Sequence, residues 1–174
     1  MNIVSFLPQY INDKFPKMNS LEVGTLMAVY QVTFIIASIW SGIQMNSIGR
    51  RKTVVIAIWL MGVATAIFGA ASYCRSGYAF YFISLIARMV SGFGDGMMAV
   101  AVPAIIVIEF TDDTEFYLGL CNTSLGVGLM LGPVIGVFVY SVLSYANTFY
   151  FFSALILLVG NVSVSLVPKR LDDK

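Results

Sequence analysis

Histidine is absent from this chain of 174 residues, and only two cysteines are present. Without imidazole there is no His-ligated zinc site and no His general base. Two thiols cannot staple a small disulfide-held fold. Charge is scarce as well: 10 Lys and Arg with 9 Asp and Glu make up 11% of the residues, against a usual ~25%. So few charges cannot solvate a water-soluble globule of this size, and their near balance lacks the basic excess of a nucleic-acid binder. A water-soluble enzyme, a disordered tail and a nucleic-acid partner are all excluded. What remains is apolar: hydrophobic types reach 59%, against ~45–50% in soluble domains. This is the composition of a membrane protein, with the lipid bilayer as its first partner.

A helix needs ~20 mostly apolar residues to cross the hydrocarbon core, and the charges cut the chain into segments of that size. Full spans are expected at 23–44, 53–73, 78–108, 116–143 and 148–167. The first stops at Gly49-Arg50-Arg51-Lys52, the third at the acidic run from Glu109 to Glu115, and the last at Pro168, a helix stop signal. None of the segments alternates with period two, which argues against a membrane barrel. The stretch 1–11 is apolar but only about half a span. It lacks the basic flank of a signal peptide and reads as the outer half of a truncated helix; a short interfacial helix or a soluble stub is the alternative.

Sidedness follows from Lys and Arg. One set of loops holds Arg50, Arg51, Lys52, Lys169, Arg170 and Lys174; the opposite set holds Lys14, Lys17 and Arg75. The excess places the Arg50 loop, the Glu109–Glu115 loop and the carboxyl terminus in the cytoplasm. Cys74 and Cys121 then fall at opposite ends of the bundle, so no disulfide is expected.

Two ionisable residues stand where hydrocarbon tolerates them poorly, at ~3 kcal/mol each on insertion scales. Arg88 and Asp95 lie on one helix, seven residues apart. That spacing turns them by only about −20° and separates them by roughly 10 Å along the axis. Glu109 continues the same stripe near the cytoplasmic end. The stripe must face other helices or a wet cavity. It serves either a substrate, ion or gating role, or a structural salt-bridge lock made through Ser91 or a water. Glu109 reads more simply as a rim carboxylate.

Glycines and prolines accompany these charges. Gly92, Gly94, Gly96 and Pro103 share the third full span. The fourth carries Gly128, Gly132 and Gly136 at four-residue spacing, with Pro133 beside the middle one. Such a flat ridge lets a neighbouring helix pack backbone to backbone, and Pro supplies a kink. The run Phe149-Tyr150-Phe151-Phe152 reads as an interfacial aromatic belt.

Three stretches together resemble the major facilitator superfamily of secondary transporters. The segment from Gly42 to Lys52 is similar to that family's loop signature between its second and third helices, with Gly42, Gly49, Arg50 and Arg51 matching. Asn46 and Ser47 stand where the pattern has an acid-base pair, which weakens a charge–helix dipole contact there. Arg88-Met89-Val90-Ser91-Gly92-Phe93-Gly94 resembles the fourth-helix pattern, whose Arg is implicated in proton coupling. Asp95 has no place in that pattern. The stretch Gly128 to Gly136, with Gly132 and Pro133 at its centre, is similar to the antiporter-type fifth-helix motif and departs only at Val137.

The resemblance implies an all-α membrane protein in which 1–174 form a six-helix half of a major facilitator bundle, its first helix truncated. It is closest to the drug:proton antiporter and vesicular amine transporter branch. It further implies a small-molecule solute, the proton as coupling ion and a second six-helix half, in a longer chain or a dimer. Arg88 and Asp95 are then the substrate or proton candidates. Gly42, Asn46, Gly49, Arg50, Arg51 and Glu109 form the cytoplasmic latch, and Gly128, Gly132, Pro133 and Gly136 the kinked seam. No cofactor, metal site or catalytic residue is expected, since no metal-spaced cluster or nucleophile-base pair exists. The alternative function is a non-transporting scaffold or assembly partner held together by its Gly ridges.

Overall fold

The computed structural model describes residues 20–74 and 76–167. Among them five helices follow one another: α1 (Ser20–Ile48), α2 (Arg50–Ala71), α3 (Gly77–Glu109), α4 (Thr114–Val142) and α5 (Tyr145–Leu166). All five are long and apolar enough to cross a membrane. The leading helix expected at 1–11 lies outside the described residues, as do Lys14, Lys17, Arg75, Lys169, Arg170 and Lys174.

The helices overrun the apolar stretches in the sequence. α1 continues through Gln44 to Ile48, and α2 begins at Arg50 rather than Thr53. Apolarity marks the length that lipid would cover, whereas the hydrogen-bonded ladder runs on through polar ends. α3, with 33 residues, is about 50 Å long, well over the ~30 Å of hydrocarbon. The break between α1 and α2 is a single residue, Gly49, at φ 99°. Only glycine adopts that conformation without strain.

In hydrocarbon every polar group must find an internal partner. Many hydroxyls do so locally: Thr33 donates to the Val29 carbonyl at 2.7 Å and Thr65 to that of Met61 at 2.7 Å. Ser153 on α5 instead donates across the interface to the Gly62 carbonyl of α2, at 2.7 Å.

α3 is the axis of the bundle, with α1 along one side and α2 along another, and α5 lies against the far side of α2. Two apolar clusters hold these four helices. Phe68, Ala71, Phe80, Ala87, Tyr145 and Phe149 form one, near the α2–α3 and α4–α5 connections. Met45, Val54, Ile58, Ala101 and Val164 form the other, near the Gly49 break. Phe149 corrects the aromatic-belt expectation: it is fully buried, with ring centroids 5.0 Å from Phe68 and 4.8 Å from Tyr145. Tyr150 and Phe151 do remain exposed.

α4 stands apart, touching α3 and α5 only sparsely, with Gly136 its one buried residue among those described. The ridge expected to form a packing seam is therefore open at Gly128 and Gly132. Among the described residues, a Cβ built on Gly128 or Gly132 would meet nothing within 4 Å. Backbone-to-backbone packing occurs on α3 instead. A Cβ on Gly92 would lie 2.5 Å from the Tyr30 carbonyl oxygen, and one on Gly96 2.5 Å from that of Phe34. These two glycines, one turn apart, bring α1 against α3 at the level of the buried charges.

Candidate functional site: a buried charge stripe bridged by tyrosine

Arg88 sits on α3 between the two apolar clusters and is only 5% exposed. It projects into the angle between α1 and α2. Its guanidinium carbon lies 5.4 Å from the Phe68 ring centroid and 5.6 Å from that of Tyr30. A desolvated guanidinium held against an aromatic face gains ~2 kcal/mol, which offsets a large part of the ~3 kcal/mol insertion cost. One guanidinium NH2 also approaches the Met27 sulfur at 4.0 Å, a weak contact. Among the described residues, the Nε hydrogen is buried with no hydrogen-bond partner, as is the hydroxyl of Ser84, one turn earlier on the same helix.

Asp95 is half-buried. Its Oδ2 accepts a hydrogen bond from the Tyr30 hydroxyl across the α1–α3 interface. Among the described residues Arg88 and Asp95 make no ion pair with each other. The salt-bridge lock through Ser91 that the spacing allowed is thus not the observed arrangement. Both charged groups instead meet the same tyrosine, Arg88 against its ring and Asp95 at its hydroxyl. The close packing of Gly92 on the Tyr30 backbone makes this possible.

Tyr30, Phe68 and Met27 were not candidates in the sequence. Phe68 and Met27 read as ordinary apolar residues of their spans. The one available signal was a tyrosine in the middle of a span, where a phenol needs a hydrogen-bond partner. The chemistry of the cluster is that of a clamped cation and a carboxylate one tyrosine apart. It holds a cation and an acceptor of protons or cations in a low-dielectric setting, where each has a strong effect on the other.

The remaining candidates lie at the ends of the helices. At the Gly49 break, one Arg50 NH2 donates to Asn46 Oδ1 at 3.0 Å. Arg51 Nε donates to the Val164 carbonyl at 3.4 Å, tying the start of α2 to the end of α5. Among the described residues neither guanidinium group has a carboxylate partner. The amide of Asn46 takes the contact as a neutral acceptor. Gly42 is exposed, and a Cβ there would meet nothing within 4 Å among the described residues. Glu109 is half-buried at the end of α3. Pro133 lies inside α4 without ending it. Cys74 and Cys121 are free thiols.

Known proteins match this chain over almost its whole length. The profile of the Major Facilitator Superfamily covers residues 1–173. The "MFS-type transporter SLC18B1" of Rattus norvegicus is 23% identical over 89% of this chain and 34% of its own length. The "Synaptic vesicular amine transporter" of Homo sapiens is 29% identical over 91% of this chain and 30% of its own. The "Quinolone resistance protein NorA" of Staphylococcus aureus is 26% identical over 97% of this chain and 42% of its own. The chain spans about a third of the length of the first two relatives.

Proposed function

Because the chain belongs to the major facilitator superfamily, we propose that it acts as the amino-terminal half of a proton-coupled antiporter for an organic cation, amine or drug-like solute. The observation that carries this reading is the Arg88–Tyr30–Asp95 cluster, which keeps ionisable groups in the middle of an apolar span. Relatives named for amine transport and for quinolone resistance support the solute class.

In this reading residues 1–11 belong to the first helix of six, and α1 to α5 are the second to sixth. The second half comes from a longer chain or from a dimer. The Arg50 loop and the carboxyl terminus lie in the cytoplasm. The solute binds near the midplane between the halves, and one half rocks against the other around it. Asp95 accepts the proton or the cationic group of the solute. Arg88 responds to the change of charge on Asp95, through Tyr30. Arg50, Arg51, Asn46, Gly42, Gly49 and Glu109 latch the cytoplasmic side. The ridge of Gly128, Gly132 and Gly136, open at its first two positions and kinked at Pro133, seats a helix outside the described set.

The competing reading is a scaffold whose buried charges only hold helices together. Water access separates the two. With Cys74 and Cys121 replaced by serine, Arg88→Cys and Asp95→Cys are treated with a charged, membrane-impermeant thiol reagent in the complete transporter. Labelling of the Asp95→Cys protein is expected. Protection of both positions from both sides of the membrane would support the scaffold.

A further inference from the structure

An apolar groove of about 450 Å³ runs between α2, α3 and α5 toward the Gly49 break. That is within the ~300–1,000 Å³ of small-molecule sites. Ile58 and Met61 of α2, Val102 and Ile106 of α3 and Val159 of α5 line it. Ser163, the polar side chain of the lining, already donates to the Val159 carbonyl at 2.9 Å. Among the described residues no side chain in the lining is left to hold a polar ligand. Leu155 and Val159 are 46% and 52% exposed, which leaves the α5 side of the groove open. Helices approach one another over small residues, but a Cβ on Gly160, the glycine of the lining, would lie 2.5 Å from Ile58 Cγ2. The walls are therefore side chain, and a flexible hydrocarbon chain inserts between them more readily than a helix does.

The end of the groove is cationic. Arg51, Val54, Ile58 and Met61 follow one another at spacings of three, four and three residues, so they form one stripe of α2 with Arg51 at its head. Arg51 Nε donates to the carbonyl of Val164, on the α5 wall, at 3.4 Å. Its two terminal NH2 groups have no partner among the described residues. Arg50 and the exposed Lys52 flank it in the chain. An apolar groove in a bilayer gains little from one lipid tail over another, because the surrounding tails are equally apolar. Selectivity falls to the headgroup. A guanidinium takes a phosphate through two parallel N–H···O bonds, and basic pockets between membrane helices take anionic headgroups. Phosphatidylcholine carries the same phosphate but adds a cationic choline, which three adjacent cations repel.

We propose that this groove docks an anionic phospholipid, its phosphate held by Arg51 at the rim and one acyl chain laid between α2, α3 and α5. The inference goes beyond the transport reading and makes no use of Asp95, so either can fail without the other. Phosphatidylglycerol and phosphatidylcholine, each with a diazirine midway along one acyl chain, serve as probes. Each is reconstituted with the full chain in vesicles of unlabelled phosphatidylcholine, and the photocrosslinked residues are mapped by mass spectrometry. The exposed face of α4, where Met130 is 79% exposed, reports lipid that merely surrounds the protein.

Crosslinks from the phosphatidylglycerol probe are expected to concentrate on Val102, Ile106 and Val159 over α4, and to exceed those of the phosphatidylcholine probe there. Arg51→Gln should lower that excess by on the order of tenfold, the worth of a charge-assisted hydrogen bond, with labelling of α4 unchanged. Ser163→Phe places a ring in the groove and should remove groove crosslinks from both probes while α4 is still labelled. Excess glycerophosphoglycerol, the headgroup without its chains, should not displace the lipid. Even labelling of groove and α4, or an undiminished excess in Arg51→Gln, would overturn the proposal. Displacement by glycerophosphoglycerol would reduce the site to one for phosphate alone, and a groove free of crosslinks would mean that a helix or another occupant fills it; both overturn lipid docking.

Discussion

At the scale of single residues, the cost of placing charge in hydrocarbon is met by aromatic rings rather than by an opposite charge. Arg88 lies between Tyr30 and Phe68, and Asp95 takes a phenolic hydrogen bond. A planar guanidinium stacks on rings where an ammonium does not, so lysine is a poor substitute at position 88. Arg88→Lys keeps the charge yet should slow transport by the complete protein by roughly tenfold or more, given ~2 kcal/mol for a desolvated cation–π contact. Uptake assays at matched expression check this. Arg88 and Asp95 were legible in the sequence because ionisable residues inside an apolar span are conspicuous. Tyr30 was not, because its role comes from a contact between two helices that no spacing along one helix reveals.

At the scale of helices, small residues separate into those that pack and those that wait. Gly92 and Gly96 bring α1 onto α3, and Gly62 and Gly69 face the side chains of α5. Gly128 and Gly132, whose regular spacing gave the stronger sequence signal, meet nothing within 4 Å among the described residues. A four-residue repeat shows that a helix has a flat face, but it does not say which neighbour takes it. Gly96→Ala drives a methyl against the Phe34 carbonyl, where backbone must yield. It should lower stability by roughly 1–3 kcal/mol. Gly132→Ala should leave stability unchanged or raise it slightly, since Ala is the better helix former. Thermal unfolding of the two variants in the same detergent compares them directly. Span positions were readable from apolarity alone. The ends were not, because α1 and α2 continue through polar residues to the positive-φ turn at Gly49.

At the scale of the whole molecule, four helices form a packed unit around α3 while α4 exposes nearly all of its length. Large apolar side chains on α1 and α4, such as Ile43 and Met130, are exposed at 75% and 79%, as expected of surfaces that face lipid or another half. On the proposed reading, one half of a transporter leaves its solute-facing stripe without the opposing wall. The chain reconstituted alone as a monomer should therefore not concentrate solute, while a dimer or the complete transporter should. Vesicle uptake measured against oligomeric state tests this, and concentrative transport by a monomer would refute it. The family and the five membrane-length helices were within reach of the sequence, since motifs and charge-bounded spans are local. The way the halves meet is not a local property.

The claim at the centre of this account is that the charge stripe on α3 couples protons to solute movement. The most direct measurement is uptake of an organic cation into vesicles holding the complete transporter, driven by an imposed pH gradient, with wild-type protein and with Asp95→Asn. The account predicts gradient-driven uptake in the wild type and its loss in Asp95→Asn, with folding and insertion intact. Undiminished gradient-driven uptake by Asp95→Asn would contradict it.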